Sequence, residues 1–307
     1  MPPIGRPGPL HWAGLAALVA MWGSSYLAME IALTAFGPTG ITTARVALAA
    51  VTLWIAMRLT GRRLPGDRAS WAFFFLLAVV GNCLPFFLIS WGQQSIPSGL
   101  AGIAMAVTPL AVILLAHYLL PDEPLTPGRV LGFVAGFFGV ALLVGPEFLA
   151  GSDASDTSLP GLLAVLGGAL CYATSAVVTR LGPSHHPLVM SSAVTIAGSL
   201  MLIPAYFLLD GGVLTDFSLP LAPVAAVAAL GLLSTGLAAV IFFFLVTQAG
   251  AGFLTMQSFL VPPWAVVVGA LVLGERLRPG AYAAMLLILL GLAVAQRFDR
   301  AGRRIPR

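Results

Sequence analysis

A proline-bearing apolar span, a short polar knuckle and a second apolar span occur twice in this chain, about half its length apart. The first copy reads SGLAGIAMAVTPLAVILLAHYLL, then PDEPLTPG, then RVLGFVAGFFGVALLV over residues 98–144. The second reads AGFLTMQSFLVPPWAVVVGALVL, then GERLRPG, then AYAAMLLILLGLAVA near the C-terminus. Glu123 and Glu275, Leu125 and Leu277, Pro127 and Pro279, Gly128 and Gly280, and Gly139 and Gly291 pair at one offset of 152, with Pro109 and Pro262 at 153. Two apolar helices match by chance at some positions, but an ordered Glu, Leu, Pro and Gly within a polar knuckle is harder to obtain that way. An internal repeat constrains the fold more than any local reading.

Each arm is continuously apolar over about 20 residues, the length a helix needs to cross a bilayer. The alternating segments of about 10 residues that mark barrel strands do not occur. Ten such runs can be counted: about Leu10–Leu33, Pro38–Leu59, Trp71–Trp91, the two arms of the first copy, Leu159–Arg180, Pro187–Leu209, Leu221–Thr247 and the two arms of the second copy, ending near Gln296. With 59% hydrophobic and 8% charged residues, the chain has too little polar surface to cover itself in water. The first run is longer than the apolar region of a signal peptide and no convincing cleavage site follows, so it is expected to be retained. A polar linker, Gly151–Ser158 with Asp153 and Asp156, divides the chain into residues 1–150 and 151–307. Five spans per half is an odd number, so the second half enters the membrane from the opposite side. The expected fold is an all-α membrane protein of ten transmembrane helices, two inverted five-helix repeats around a central cavity.

Every one of the 15 Lys+Arg residues is arginine. If the N-terminus is cytoplasmic, the inside segments hold Arg6, Arg58, Arg62, Arg63, Arg68, Arg129, Arg180, Arg297, Arg300, Arg303, Arg304 and Arg307. The outside segments hold Arg276 and Arg278, and Arg45 lies within a span. Twelve against two places both termini in the cytoplasm. The two exceptions sit in the second knuckle, which repeat symmetry puts outside. No basic stripe with interleaved aromatics suggests nucleic acid. Cys83 and Cys171 both lie in apolar runs and support neither a disulfide framework nor a metal site. No cofactor is implied.

The first-span WGSSYLAMEIAL, the second-span TARVALAA, the proline-bearing fourth span and the GE-L-P knuckle resemble the EamA branch of the drug/metabolite transporter superfamily. The resemblance covers essentially the whole chain as two halves. It implies a ten-helix exporter of small metabolites in the bacterial inner membrane, and within the family the likeness is greatest to exporters of aromatic amino acids. That implies neutral and aromatic amino acids as substrates. Many relatives carry Lys where Glu30 stands, so charge coupling at that position is not implied.

Charge inside a membrane is costly and tends to be functional. Measured from the span centres, Glu30 lies roughly 12 Å and Arg45 roughly 4.5 Å toward the outer face. A pair is feasible, either as a gate or substrate-carboxylate contact or as a structural tie between the first two spans. Polar and aromatic residues at helical spacing mark candidate cavity faces: Trp22, Tyr26 and Glu30; Asn82, Phe86, Ile89 and Gln93; Tyr172 and Ser175; Phe253, Gln257, Leu260 and Trp264, with Ser258 beside Gln257. Interhelical hydrogen bonding explains the carboxamides as well as substrate binding does. Trp12, Trp71 and Trp91 fit an interfacial belt. His117 suits an interfacial hydrogen bond better than a proton relay, and His185 and His186 are expected in solvent. Pro85, Pro109, Pro204, Pro262 and Pro263 should kink their helices, and the symmetric placement of Pro109 and Pro262 singles these two out.

These features favour a secondary transporter working by alternating access, a chain that could act as a monomer in the lipid bilayer. The few span charges suit a neutral or zwitterionic substrate; drugs, quaternary ammonium compounds and nucleoside-like metabolites are the alternative cargoes. No Walker motif provides for ATP hydrolysis. An intramembrane enzyme would need an acidic pair or a nucleophile beside His117, and a channel would need a charged ring or filter loop. Neither pattern is visible in the spans.

Overall fold

The computed structural model describes residues 7–121, 123, 125–150, 158–209 and 220–302. Residues 151–157 of the expected linker, with Asp153 and Asp156, lie outside the described residues, as do Arg6, Arg303, Arg304 and Arg307 of the charge count. Ten helices are long and apolar enough to cross a membrane: α1 (Pro9–Leu33), α2 (Pro38–Leu59), α3 (Arg68–Gly92), α4 (Ser98–Leu119), α5 (Pro127–Gly145), α6 (Leu159–Leu181), α7 (Pro187–Leu208), α8 (Leu221–Ala249), α9 (Gly252–Leu273) and α10 (Pro279–Gln296). The described residues contain no strand. The protein is therefore a multi-pass, all-helical membrane protein.

Five of these helices begin on proline, whose missing N–H would be unsatisfied in a first turn anyway and whose fixed φ suits the helix. Asp67 caps α3 by accepting from the Ser70 N–H at 2.7 Å, and Gly274 ends α9 in the left-handed conformation at φ +68°. Neither α3 nor α8 is a plain α-helix. Val79–Cys83 and Ala229–Leu237 are wound as π-helix, at positions that correspond at the repeat offset. In α8 the Thr235 hydroxyl donates to the Leu230 carbonyl five residues back, at 2.9 Å.

The two proline-bearing spans are interrupted differently. α4 breaks between Met105 and Thr108, and the Thr108 hydroxyl donates at 2.8 Å to the Met105 carbonyl, the acceptor that Pro109 cannot serve. α9 breaks between Leu254 and Gln257, whereas Pro262 and Pro263 lie inside its continuous second piece. The breaks in the two spans are therefore offset relative to the prolines, the one in α4 directly before Pro109 and the one in α9 well before Pro262. Pro204 is likewise contained within α7, and Pro85 opens the last segment of α3 directly after its π turn.

The WGSS motif of α1 stitches the two halves together. The Trp22 indole donates to the Ser234 carbonyl at 3.0 Å, and the Ser234 hydroxyl donates to the Met21 carbonyl at 2.9 Å. Gly23 lets the Trp264 ring lie against α1, since a Cβ there would sit 2.5 Å from Trp264 Cδ1. Ser24 accepts from the Trp264 indole at 2.9 Å. On the other flank α5 and α10 pack through Gly132, Gly139 and Gly291, where small residues bring two backbones close enough for strong dispersion contact. Large apolar side chains such as Phe137, Phe138, Leu208 and Leu271 remain exposed on the perimeter, as a lipid-facing surface requires.

Candidate functional site

Between the halves lies a cavity of about 550 Å³, walled by α1, α2, α3, α4, α6, α8 and α9, within the range of small-molecule sites. Of the residues singled out from the sequence, Trp22, Tyr26, Arg45, Phe86, Gln93, Pro109, Tyr172, Gln257, Ser258 and Pro262 line it. Five aromatic rings, those of Trp22, Tyr26, Phe86, Tyr172 and Phe242, contribute to its walls. Trp22 leans on Phe242 at 5.8 Å between ring centroids, and Phe86 meets Tyr172 edge-on at 6.1 Å.

Arg45 is the one arginine, lysine or carboxylate residue among the described cavity-lining residues. Its side chain is deeply buried, 7% exposed overall. Nε donates to the Thr235 hydroxyl at 2.8 Å, and the guanidinium lies 3.8 Å from the centre of the Phe86 ring. Thr235 is placed for this by the π turn of α8. No carboxylate among the described residues lies within ion-pair distance. The expected Glu30–Arg45 pair is therefore not formed: Arg45 turns to Thr235 and Phe86 across the cavity. Glu30 remains half-buried outside the lining, with one carboxylate oxygen lacking a partner. Of the two span charges singled out from the sequence, the cavity lining therefore carries Arg45 and not Glu30.

Two further polar groups are poised. The Gln257 amide oxygen is buried in the wall with no partner. Gln93, 2% exposed, donates to the Tyr26 carbonyl at 2.9 Å while its amide oxygen has none. An unpartnered buried acceptor is costly in an apolar protein, so a donor that reached either oxygen would relieve that cost.

Several expected cavity residues lie elsewhere. Asn82 and Ser175 line a second cavity, also about 550 Å³, which shares Thr235 and Ala239 with the first and extends to Arg180 and His185. Asn82 leaves the face of Phe86 and Gln93 because the π turn at Val79–Cys83 breaks the 3.6-residue spacing. Trp264 is 40% exposed, held on the outer side of α1 by Ser24. Leu260 is exposed, and Phe253, which the break in α9 separates from Gln257, packs edge-on against Trp12 at 5.0 Å. Pro85 and Pro263 do not line the cavity. Lining residues that sequence spacing missed include Ser25, Thr108, Ser234 and Thr235. The Ser-Thr pair in the middle of an apolar span was the available signal.

The cavity is closed at one end and continues at the other. On the face of Glu275, Gly102 of α4 abuts Ala265 of α9, where a Cβ on the glycine would sit 2.5 Å away. Toward the arginine-rich face the same two helices separate. Ala116 and Leu120 of α4 and its following turn pack on Val177 of α6, while Phe253 and Leu254 of α9 pack with α1 and α8. The second cavity lies toward the same face, between α2, α3, α6, α7 and α8. There Glu123 bonds Arg180 and Arg129, each at 2.8 Å. The Arg180 guanidinium, and Arg129 with it, hold the Glu123 carboxyl below the usual carboxylate range. The pairs therefore persist at neutral pH and are lost as pH falls through that lowered value. His117 is tied to the Glu123 carbonyl at 3.1 Å. His185, expected in solvent, bonds the Ser70 hydroxyl at 3.0 Å and packs on Phe74.

The family model for the EamA-like transporter family matches residues 11–145 and 159–296. A probable terminal-alkyne amino-acid exporter of Streptantibioticus cattleyicolor is 28% identical over 95% of each chain. The uncharacterized transporter YoaV of Bacillus subtilis is 24% identical over 91% of this chain and 94% of its own. A solved structure, described simply as a crystal structure of a protein, superposes with a TM-score of 0.67 at 20% identity, over 97% of this chain and 99% of that one, a likeness of fold. The two family matches span the helices that build the cavity, and this chain belongs to the EamA-like transporter family, whose members move small molecules across membranes.

Proposed function

We propose that the protein exports neutral and aromatic amino acids by alternating access, its two halves rocking around the central cavity. The observation that carries this reading is Arg45, a buried guanidinium facing a cavity with five aromatic rings in its wall and with no carboxylate of the described residues within ion-pair distance. Its Nε is committed to Thr235, which leaves the terminal nitrogens for a ligand, and a guanidinium fork matches a carboxylate. The unpartnered Gln257 oxygen suits an ammonium group, and Trp22, Phe86, Tyr172 and Phe242 offer faces to an aromatic or apolar side chain. A fixed cation disfavours quaternary ammonium cargo. The relative named as a probable amino-acid exporter supports the same substrate class.

Counterflow in liposomes loaded with amino acids, quaternary ammonium compounds or sugar phosphates tests the proposal. Amino acids should exchange with trans-acceleration, and the other two classes should not. Failure of every amino acid would overturn the substrate assignment, and flux without trans-acceleration would point to a channel.

The same reading places both termini and the arginine-rich face in the cytoplasm, with the Glu275 knuckle outside. Single cysteines at Thr126 and Arg278, in a chain with Cys83 and Cys171 replaced by serine, should react with an impermeant maleimide from opposite sides of the membrane. Labelling from the same side would break the inverted topology.

A further inference from the structure

Glu275 stands in the knuckle after α9, and its carboxylate reaches across the interface between the halves to the first turn of α4. One oxygen accepts from the Ser98 N–H and the other from the Gly99 N–H, both at 2.8 Å. N–H groups in a first turn have no intrahelical acceptor, and a carboxylate answers them with charge as well as hydrogen bonds. Two glycines make the seat. A Cβ on Gly269 would stand 2.5 Å from the Glu275 carboxylate and 3.0 Å from the Ser98 hydroxyl; one on Gly99 would stand 3.1 Å from the carboxylate. Directly below, Gly102 and Ala265 close the roof of the cavity, with the Tyr26 ring 3.5 Å from the same glycine position.

The repeat-related carboxylate is engaged differently. Glu123 is bound by Arg180 and Arg129. Gly252, the counterpart of Gly99 at the offset of 153, has open space where a Cβ would point. A brace needed only for folding would be made at both ends of a duplicated unit. A contact made on the closed face and absent on the open one has the distribution of a gate.

We propose that Glu275 is a positioning residue of the transport cycle: its clasp on Ser98 and Gly99 latches the Glu275 face shut while the cavity is open to the arginine-rich face, and it must release for the opposite face to open. The proposal rests on the alternating-access reading.

Its test uses the full chain with Cys83 and Cys171 replaced by serine and one cysteine at Met105, a buried residue lining the cavity. An impermeant maleimide is applied to right-side-out and inside-out vesicles. In the parent, labelling should be fast from the arginine-rich face and slow from the Glu275 face. Glu275→Ala should speed labelling from the Glu275 face by about tenfold, the weight of one charge-assisted hydrogen bond. Gly269→Ala keeps the carboxylate but fills its seat, and it should act in the same direction; Glu275→Gln, which retains one acceptor, should fall between parent and Glu275→Ala. A purely structural clasp would lower folded yield without changing the side from which Met105→Cys is reached. Unchanged labelling from the Glu275 face in Gly269→Ala and in Glu275→Gln, at normal folded yield, overturns the latch even if Glu275→Ala does not fold. Counterflow by the parent, measured separately, decides the transport reading, so failure of that reading and failure of the latch are told apart.

Discussion

Replacing Arg45 with alanine is expected to reduce amino-acid counterflow by about a hundredfold at equal folded protein, the effect of about 3 kcal/mol lost at a desolvated charge pair. The physical reason is the asymmetry of its surroundings. Burial removes water from the guanidinium, and Thr235 and Phe86 offset part of that cost. The charge itself is left uncompensated until a carboxylate enters. Arg45→Lys should restore little, because an ammonium neither forks onto a carboxylate nor lies flat on Phe86 while bonding Thr235 through an Nε. A decisive comparison pairs an amino acid with its amide. The parent should prefer the acid, and Arg45→Ala should lose that preference along with most of its rate. Equal counterflow by parent and Arg45→Ala would sink the carboxylate contact and with it the amino-acid assignment.

The sequence carried the architecture because membrane burial writes it in long apolar runs, and the duplicated knuckle related one half to the other. Trp22, Tyr26, Phe86, Gln93, Tyr172 and Gln257 were legible as cavity residues for the same reason, each being a polar or aromatic group on a helix with little else polar. Helical spacing failed where the helices are not α. The π turns displaced Asn82 from the face of Phe86 and brought Thr235 onto the cavity, and the break at Thr255–Met256 separated Phe253 from the helix that carries Gln257. The partner of Arg45 was invisible for a related cause. Depth along the membrane suggested Glu30 on the neighbouring helix, but contact is decided by which helices flank the cavity, and Thr235 comes from the other half, 190 residues away. Spacing in one helix cannot report such a neighbour.

The close approach of α5 and α10 is where the largest effect on folding is expected. Gly132 and Gly291 face each other so tightly that a Cβ on either would collide with the other's carbonyl oxygen, and a Cβ on Gly139 would sit 2.7 Å from Ile288 and 3.0 Å from the Ala284 carbonyl. Those neighbours are largely backbone, so no side-chain rotation relieves the clash and the helices must move apart. In a bilayer, helix association depends on dispersion contact between close backbones, because lipid offers no hydrophobic drive to bring them together. Gly132→Val should therefore cost several kcal/mol, beyond the 1–3 kcal/mol or so of ordinary overpacking, and remove most of the monodisperse protein recovered in detergent. Gly145, in the same helix, has open space where its Cβ would point, and Gly145→Val should leave recovery close to that of the parent. Size-exclusion profiles of the two variants check this, and recovery that is equal for both would show that the α5–α10 contact does not hold the halves together. The surviving fraction of Gly132→Val, however small, should retain its counterflow rate per folded molecule, since neither α5 nor α10 contributes a residue to the cavity wall.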